Sequence, residues 1–271
     1  MDDIDRFLKE DIGEEGDITS NSLFTDEVGH AHIIAKENCV VAGLEEIKMI
    51  FERTGAQIEL LVNDGAFVKE KTIVAEVKGP VRSILMGERL ALNFICKMSG
   101  IASETKKLVD KCRNINPYVS VAATRKTTPG FRKYEKKAVM LGGGESHRYG
   151  LYDAIMIKDN HIKCVGSVEE AIKRAKQKGI YEVVEVEVEN EKDAKMAAKM
   201  KVDAIMLDNC TPKDAEVLAN KIREINADIL IEISGAINPD NIVEYASFAN
   251  RISLGYLTHS IKSKDFSLEL E

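Results

Sequence analysis

The chain has 271 residues, enough for one large domain or two modest ones with a buried core, and its composition (44% hydrophobic, 31% charged) is that of an ordinary globular protein. A formal net charge of −7 excludes the dominant basic footprint of a nucleic-acid binder, and no apolar run approaches the ~20 residues of a membrane span. The acidic start, Asp2-Asp3-Ile4-Asp5, lacks the basic segment of a signal peptide, and five scattered cysteines (39, 96, 112, 164, 210) without a Cys-x-x-Cys pair exclude a disulfide framework and a thiolate zinc site, as expected in a reducing cytoplasm.

Residues 1–86 mix short strands and two helices. Asp2–Glu10 is amphipathic; Val28–Lys36 and Asn38–Val41 read as strands, and Leu44–Arg53 as a helix. Strands are expected at Gln57–Leu61, Thr72–Val77 and Val81–Leu85, with turns at Asn63-Asp64-Gly65 and Gly79-Pro80. Leu90, Phe94, Met98, Ile101 and Leu108 recur at helical spacing, which predicts a long helix over 87–113. We place a domain boundary at its end: 1–113 and 114–261.

From residue 117 strands and helices alternate. The strand candidates are Val119–Ala123, Ala154–Ile157, Glu182–Glu187, Ala204–Leu207, Asp228–Ile233 and Arg251–Leu254. Ser167 is expected to cap a helix over Val168–Lys178 that stops at Gly179; Asn190, Thr211-Pro212 and Asn238-Pro239 carry the start signals of three more. Such alternation implies a parallel sheet, open or closed into a barrel.

Every strand in this half ends in polar residues. These are Thr124, Arg125 and Lys126, then Lys158, Glu187, Asp208-Asn209, Ser234-Gly235 and Gly255. In a barrel or an open parallel sheet, carboxyl ends share one rim, where active sites are built. Valines and glutamates alternate over Val184–Glu189, so Glu185, Glu187 and Glu189 share a face and need basic groups, solvent or a metal opposite them.

The basic groups are at hand. Residues 121–163 hold nine Lys/Arg against four Asp/Glu, a local charge of +5 in an acidic chain, which points to a site for a small, highly charged anion. Two loops, Gly142-Gly143-Gly144 followed by His147-Arg148, and Ser234–Pro239 opening a helix, suit a ligand and a phosphate respectively. No dinucleotide or Walker glycine pattern is present. His147, His161 and His259 lie near these blocks without a helical metal-ligand spacing, and Lys158 remains open as a Schiff-base lysine.

In this order, these residues resemble the quinolinate phosphoribosyltransferases. The resemblance runs from Glu10-Asp11-Ile12-Gly13 and Gly16-Asp17-Ile18-Thr19 through Gly87-Glu88-Arg89, Met98-Ser99-Gly100-Ile101-Ala102 and Thr124–Gly130 to Gly142–Arg148 and Ile157–His161. It continues through Val186–Glu189, Met206–Asn209 and Ser234-Gly235 to Ser253–Ser260. It implies an N-terminal α/β sandwich, to which residues 262–271 return, joined to an open, irregular TIM-like α/β barrel. It also implies a homodimer or hexamer with shared active sites, and Mg²⁺ accompanying phosphoribosyl pyrophosphate, without an organic cofactor. Arg125, His147, Arg148 and Lys158 would hold the quinolinate carboxylates, with Arg89 reaching in from a neighbouring subunit. Lys126 and Lys158 would meet the donor's phosphates, and Thr124 would line the same loop. Ser234, Gly235, Ala236, Gly255 and His259 would seat the 5′-phosphate, and Glu187 and Asp208 would face the ribose and Mg²⁺. Lys126, Lys158, Glu187 and Asp208 are the expected catalytic groups. Ala236 departs from the family's second glycine. Within the same class, a pyrophosphorylase-like protein associated with molybdate transport is the rival, and the Lys158-Asp159-Asn160-His161 block favours the quinolinate enzyme.

Overall fold

A computed structural model describes residues 2–177 and 183–271. In chain order the elements are α1 (Asp3–Ile12), α2 (Ile18–Leu23), β1 (Val28–Ala35), β2 (Cys39–Val40), α3 (Leu44–Thr54), β3 (Gln57–Leu60), β4 (Phe67–Val68), β5 (Ile73–Pro80) and α4 (Val81–Arg113). There follow β6 (Ser120–Ala122), α5 (Arg132–Leu141), β7 (Ile155–Ile157), α6 (Asp159–Val165), α7 (Val168–Gln177), β8 (Val184–Val188), α8 (Glu191–Lys199), β9 (Ala204–Asp208), α9 (Pro212–Ile225), β10 (Leu230–Ser234), β11 (Arg251–Ser253), α10 (Tyr256–His259) and β12 (Phe266–Leu270).

The chain forms two compact units that divide inside α4, between Lys106 and Lys107, rather than at that helix's end. Helical periodicity runs unbroken through the divide, so nothing local marks it. The first unit, which also takes in 140–142 and 261–271, carries an antiparallel sheet in the order β12-β1-β5-β3. On β1, Ala31, Ile33 and Ala35 point into its core and the residues between them point out. β5 runs on through the expected Gly79-Pro80 turn, and the expected strand at Val81–Leu85 is instead the first turn of α4. There Ile84 is fully buried, so tertiary burial overrides the β-branched signal.

The second unit holds a six-stranded parallel sheet in the order β6-β11-β10-β9-β8-β7. This is the order of consecutive strands around a circle with one join left open, between β6 and β7: an open barrel. Its strands read as valine, isoleucine and alanine runs because helices cover them. Caps fall where the sequence places them at Asn190 and Thr211, whose side chains accept the amides of Asp193 and Asp214. Ser167 accepts the amide of Glu170 at the start of α7; the expected stop at Lys178-Gly179, like the start of the Glu182 strand, lies outside the described residues.

Two further expectations fail. Asn238-Pro239 opens no α-helix; only a 3-10 turn, Ile242–Glu244, follows, and Asn238 instead accepts the amides of Asp240 and Asn241 in a local turn. The triple glycine is a packing device rather than a ligand loop at its first position. A Cβ at Gly142 would lie 2.5 Å from the Ala102 carbonyl oxygen of α4. Helix α5 hides in a lysine-rich stretch that reads as surface. Its Lys136 is fully buried, donates to the Ser146 carbonyl and lies 5.4 Å over the Tyr149 ring. Burial, with Arg132 nearby, lowers its pKa to about 8.

Candidate active site

The carboxyl ends of all six parallel strands open into one cavity of about 790 Å³ within the second unit. From the β6 end come Thr124, Arg125 and Lys126. Thr124 Oγ1 accepts the Lys126 amide (3.1 Å), and the buried Thr258 hydroxyl donates to the Lys126 carbonyl (2.6 Å), so this loop is braced at both ends. His147 and Arg148 arrive from the loop before β7, and Lys158 from the β7 end. Opposite lie Glu187 of β8 and Asp208 of β9; the remaining wall is Ser234, Gly235 and Ala236 after β10, then Gly255 and His259 after β11.

Thus every residue expected at the site lines this cavity except Arg89, which sits exposed on α4 in the first unit. His161 is also elsewhere in role. Its Nδ1 accepts the Lys158 amide (2.9 Å) and so caps α6.

The charges are divided. Among the described residues Arg125, Lys126 and Arg148 form no ion pair with a carboxylate; Arg148 reaches only the Ala154 carbonyl and the Met156 sulfur, both at 3.4 Å. Burial, then the neighbouring Arg125 charge, lowers its pKa. On the other side Lys158 Nζ contacts Glu187 Oε2 at 2.5 Å. Burial, then the Glu187 charge, raises the pKa of Asp208, whose Oδ2 accepts from Asn209 Nδ2 (2.6 Å). One side of the cavity is short of negative charge and the other short of positive.

His147 is not a free donor. Its Nε2 lies 3.1 Å from Glu232 Oε2 and 3.4 Å from Glu185 Oε2, and its Nδ1 lies 2.7 Å from the Arg148 amide nitrogen, a bond that Nδ1 accepts in the neutral ring and gives up in the protonated one. Both ring nitrogens are committed inside the protein. Burial pulls the ring pKa down, but the hydrogen bonds and charges of Glu185 and Glu232 outweigh it and raise it to about 9. Arg251 continues the network, donating to Glu232 (3.0 Å) and Glu145 (2.9 Å). The alternation on β8 is thereby explained. Glu185 is buried against His147, Glu187 meets Lys158 and Glu189 is exposed. Sequence reasoning missed Glu232 and Arg251; the one available signal was a charged residue inside the apolar run Ile229–Ile233.

The loop after β10 turns through two left-handed residues, Gly235 (φ 82°) and Ala236 (φ 52°). A Cβ at Gly235 would lie 2.3 Å from Asn209 Oδ1 and 2.6 Å from the Asn209 backbone nitrogen. The loop's shape, rather than a helix terminus, sets its amides.

Comparison with known proteins places this architecture. Residues 17–99 match the model of the quinolinate phosphoribosyl transferase N-terminal domain, and 101–269 that of its C-terminal domain. The chain is 44% identical over 270 residues to a probable nicotinate-nucleotide pyrophosphorylase [carboxylating] of Methanocaldococcus jannaschii, covering 97% of this chain and 94% of that protein. It is 42% identical to the Archaeoglobus fulgidus protein of the same name, covering 94% and 98%. The structure of the nicotinate-nucleotide pyrophosphorylase from Francisella tularensis superimposes with a TM-score of 0.92 at 37% identity, covering 99% of this chain and 94% of that one. With both domain models and near full-length relatives matched, the chain belongs to the quinolinate phosphoribosyltransferase family.

Proposed function

We propose that the protein transfers the phosphoribosyl group of phosphoribosyl pyrophosphate to quinolinate with decarboxylation, forming nicotinate mononucleotide, pyrophosphate and CO₂ in NAD biosynthesis. The observation that carries this reading is the divided cavity, with three unpaired cations facing a carboxylate pair. A pyridine dicarboxylate supplies the charge that Arg125 and Arg148 lack, and planar guanidinium forks suit it. Lys126 and Lys158 take the donor's phosphates, and the Gly235-Ala236 turn with Gly255 and His259 takes the 5′-phosphate. The ring nitrogen of quinolinate attacks C1′ and the C1′–O bond to pyrophosphate breaks. Glu187 and Asp208 stabilise the positive charge that develops on the ribosyl carbon. The resulting pyridinium accepts the electron pair of the breaking C–C bond as the 2-carboxylate leaves as CO₂, and a proton replaces it. His147 acts from behind, its Nε2 anchored by Glu185 and Glu232 beneath the loop that carries Arg148.

Mg²⁺ fits as a companion of the donor. Among the described residues Asp208 stands beside the Lys158–Glu187 pair without an ion pair of its own, and it and Glu187 form no closed cage of three ligands. Mg²⁺ is commonly held by one or two carboxylates plus substrate phosphates. When bound, it would neutralise the departing pyrophosphate. A Schiff-base role for Lys158 is disfavoured by its ion pair with Glu187.

We further propose that the protein works as a homodimer or hexamer with Arg89 completing a neighbour's site, in the cytoplasm; no helix of the described residues is long and apolar enough to cross a membrane. Mixing Arg89→Ala with Lys158→Ala chains then restores part of the activity. Failure to restore it despite confirmed subunit exchange refutes the shared site. The reaction itself is tested with quinolinate, phosphoribosyl pyrophosphate and Mg²⁺, nicotinate serving as control. Turnover of quinolinate alone is the expected result, and no turnover of it overturns the proposal.

A further inference from the structure

The outer face of the first unit's sheet holds a second cluster of ligating side chains, apart from the cavity in the second unit. His30 and His32 stand two apart on β1, so both project from the face opposite buried Ala31 and Ile33. His32 is in register with Glu76 of β5 on one side and Glu269 of β12 on the other. Beyond β12, the Glu271 amide donates to the His30 carbonyl, which brings the Glu271 side chain beside His30. The result is a two-sided arrangement. The Nε2 atoms of His30 and His32 lie 3.2 and 3.7 Å from the two oxygens of Glu76, and their Nδ1 atoms lie 3.2 and 3.4 Å from the two oxygens of Glu271.

That geometry has two features of a metal site. First, one ligand atom from each of His30, His32 and Glu76 lies within 4.8 Å of the others. An ion with bonds of about 2.0–2.2 Å to imidazole and carboxylate holds its donors roughly 3–4 Å apart, so the Nε2–carboxylate separations already fall in that range. Second, a ligating imidazole characteristically gives its other N–H to a carboxylate, which fixes the tautomer and turns the free nitrogen to the metal. One Glu271 carboxylate serves both rings in this way. The rings are half-buried (side chains 30% and 16% exposed) and pack edge to face, 4.7 Å apart, so little rotamer freedom remains to be lost on binding. Lys78 is the competitor. Its ammonium lies 3.1 Å from Glu76 Oε2 on a side chain 56% exposed, free to swing into solvent.

We propose that His30, His32 and Glu76 bind one divalent transition-metal ion of the zinc type, with Glu271 orienting both imidazoles. Two nitrogens and one carboxylate favour Zn²⁺, Co²⁺ or Ni²⁺ over Mg²⁺. The ion would fasten β1 to β5, and through Glu271 to the segment following β12. This site is independent of the phosphoribosyl transfer, so it stands or falls separately.

The test is titration of chelator-treated full-length protein with Co²⁺ in Mg²⁺-free buffer, read by visible ligand-field absorption. The expected result is a single site whose band is lost in His30→Asn and in His32→Asn, and retained in His147→Asn. Lys78→Met, which removes the competing ammonium, should tighten binding by about threefold or more. In case a histidine variant misfolds, histidine-selective NMR of the unaltered protein with Zn²⁺ gives a second readout. Of five histidines, only the resonances of His30 and His32 should move. No saturable band, a band that survives both histidine replacements, unchanged affinity in Lys78→Met, or shifts confined to other histidines would each overturn the proposal.

Discussion

Glu232 supports the site from beneath, and its removal makes the most searching test of that support. The side chain is fully buried, and Oε2 accepts both from Arg251 Nη1 at 3.0 Å and from His147 Nε2 at 3.1 Å. Glu232→Ala leaves the mostly buried Arg251 with only the half-exposed Glu145, and leaves His147 with Glu185 alone. Stranding a buried charge outright costs about 3–5 kcal/mol; here each cation keeps one carboxylate, so the loss should be a part of that, about 1–3 kcal/mol. The residue also stands two positions before Ser234 on the same face of β10, so its loss loosens both the His147–Arg148 loop and the phosphate wall. Urea unfolding of the two proteins measures the stability term, and initial rates at varied quinolinate measure the functional one. Replacing both partners, Glu232→Leu with Arg251→Met, should destabilise less than Glu232→Leu alone, because the Arg251 charge is then no longer left with one half-exposed partner. A loss under about 1 kcal/mol for Glu232→Ala would refute the claim that this network holds the site together.

Other expectations follow from the same geometry. Arg148→Ala and Lys126→Ala should each lower kcat/KM by about a hundredfold or more while thermal unfolding stays near wild type; wild-type-like turnover in either would refute their roles. Gly235→Ala, at φ 82° with its Cβ 2.3 Å from Asn209 Oδ1, should raise KM for phosphoribosyl pyrophosphate and lower Tm. Unchanged kinetics would show that the loop is not held in that conformation. Ala236 already pays the left-handed penalty of roughly 1–2 kcal/mol. Ala236→Gly relieves it but loosens the unfolded chain by up to about 1 kcal/mol. Its net effect, read by urea unfolding, should be a stabilisation of about 0.5 kcal/mol. The His147 pKa is raised from 6.5 to about 9, so its contribution to stability is complete below pH 6.5 and is lost as pH rises through about 9. The advantage of wild type over His147→Asn in unfolding free energy should shrink across that window; a constant difference would contradict the raised value.

Much of the site was legible because it is built from strand ends. Polarity at the carboxyl end of a strand and alternation along it are local signals. They were enough to single out the Thr124–Lys126 loop, Lys158, Glu187, Asp208 and the Ser234-Gly235 turn. Gly255 came from the same strand-end signal; family motifs, not periodicity, brought in Arg89 and assigned the roles. The expected helix after Asn238-Pro239 misled because a Pro preceded by a capping residue also begins a turn, and only the surrounding packing distinguishes the two. Val81–Leu85 misled for a related reason: β-branched residues in a short window suit a strand, yet Ile84 finds its burial on a helix.

The sequence by itself determined that a basic island and an acidic strand face must meet on the rim of a parallel sheet, because strand period and strand-end polarity need no tertiary knowledge. Only the tertiary structure decided which charges remain free. Glu145 and His147 of one loop, Glu185, Glu232 and Arg251 come from four places in the chain, and the order β11-β10-β9-β8 helps bring them into one network. Burial makes an unpaired charge there costly, so His147 is drawn away from the ligand while Arg125, Lys126 and Arg148 are left facing the cavity. Local pattern records which side chains share a face; it does not record which neighbour across the sheet has already neutralised them.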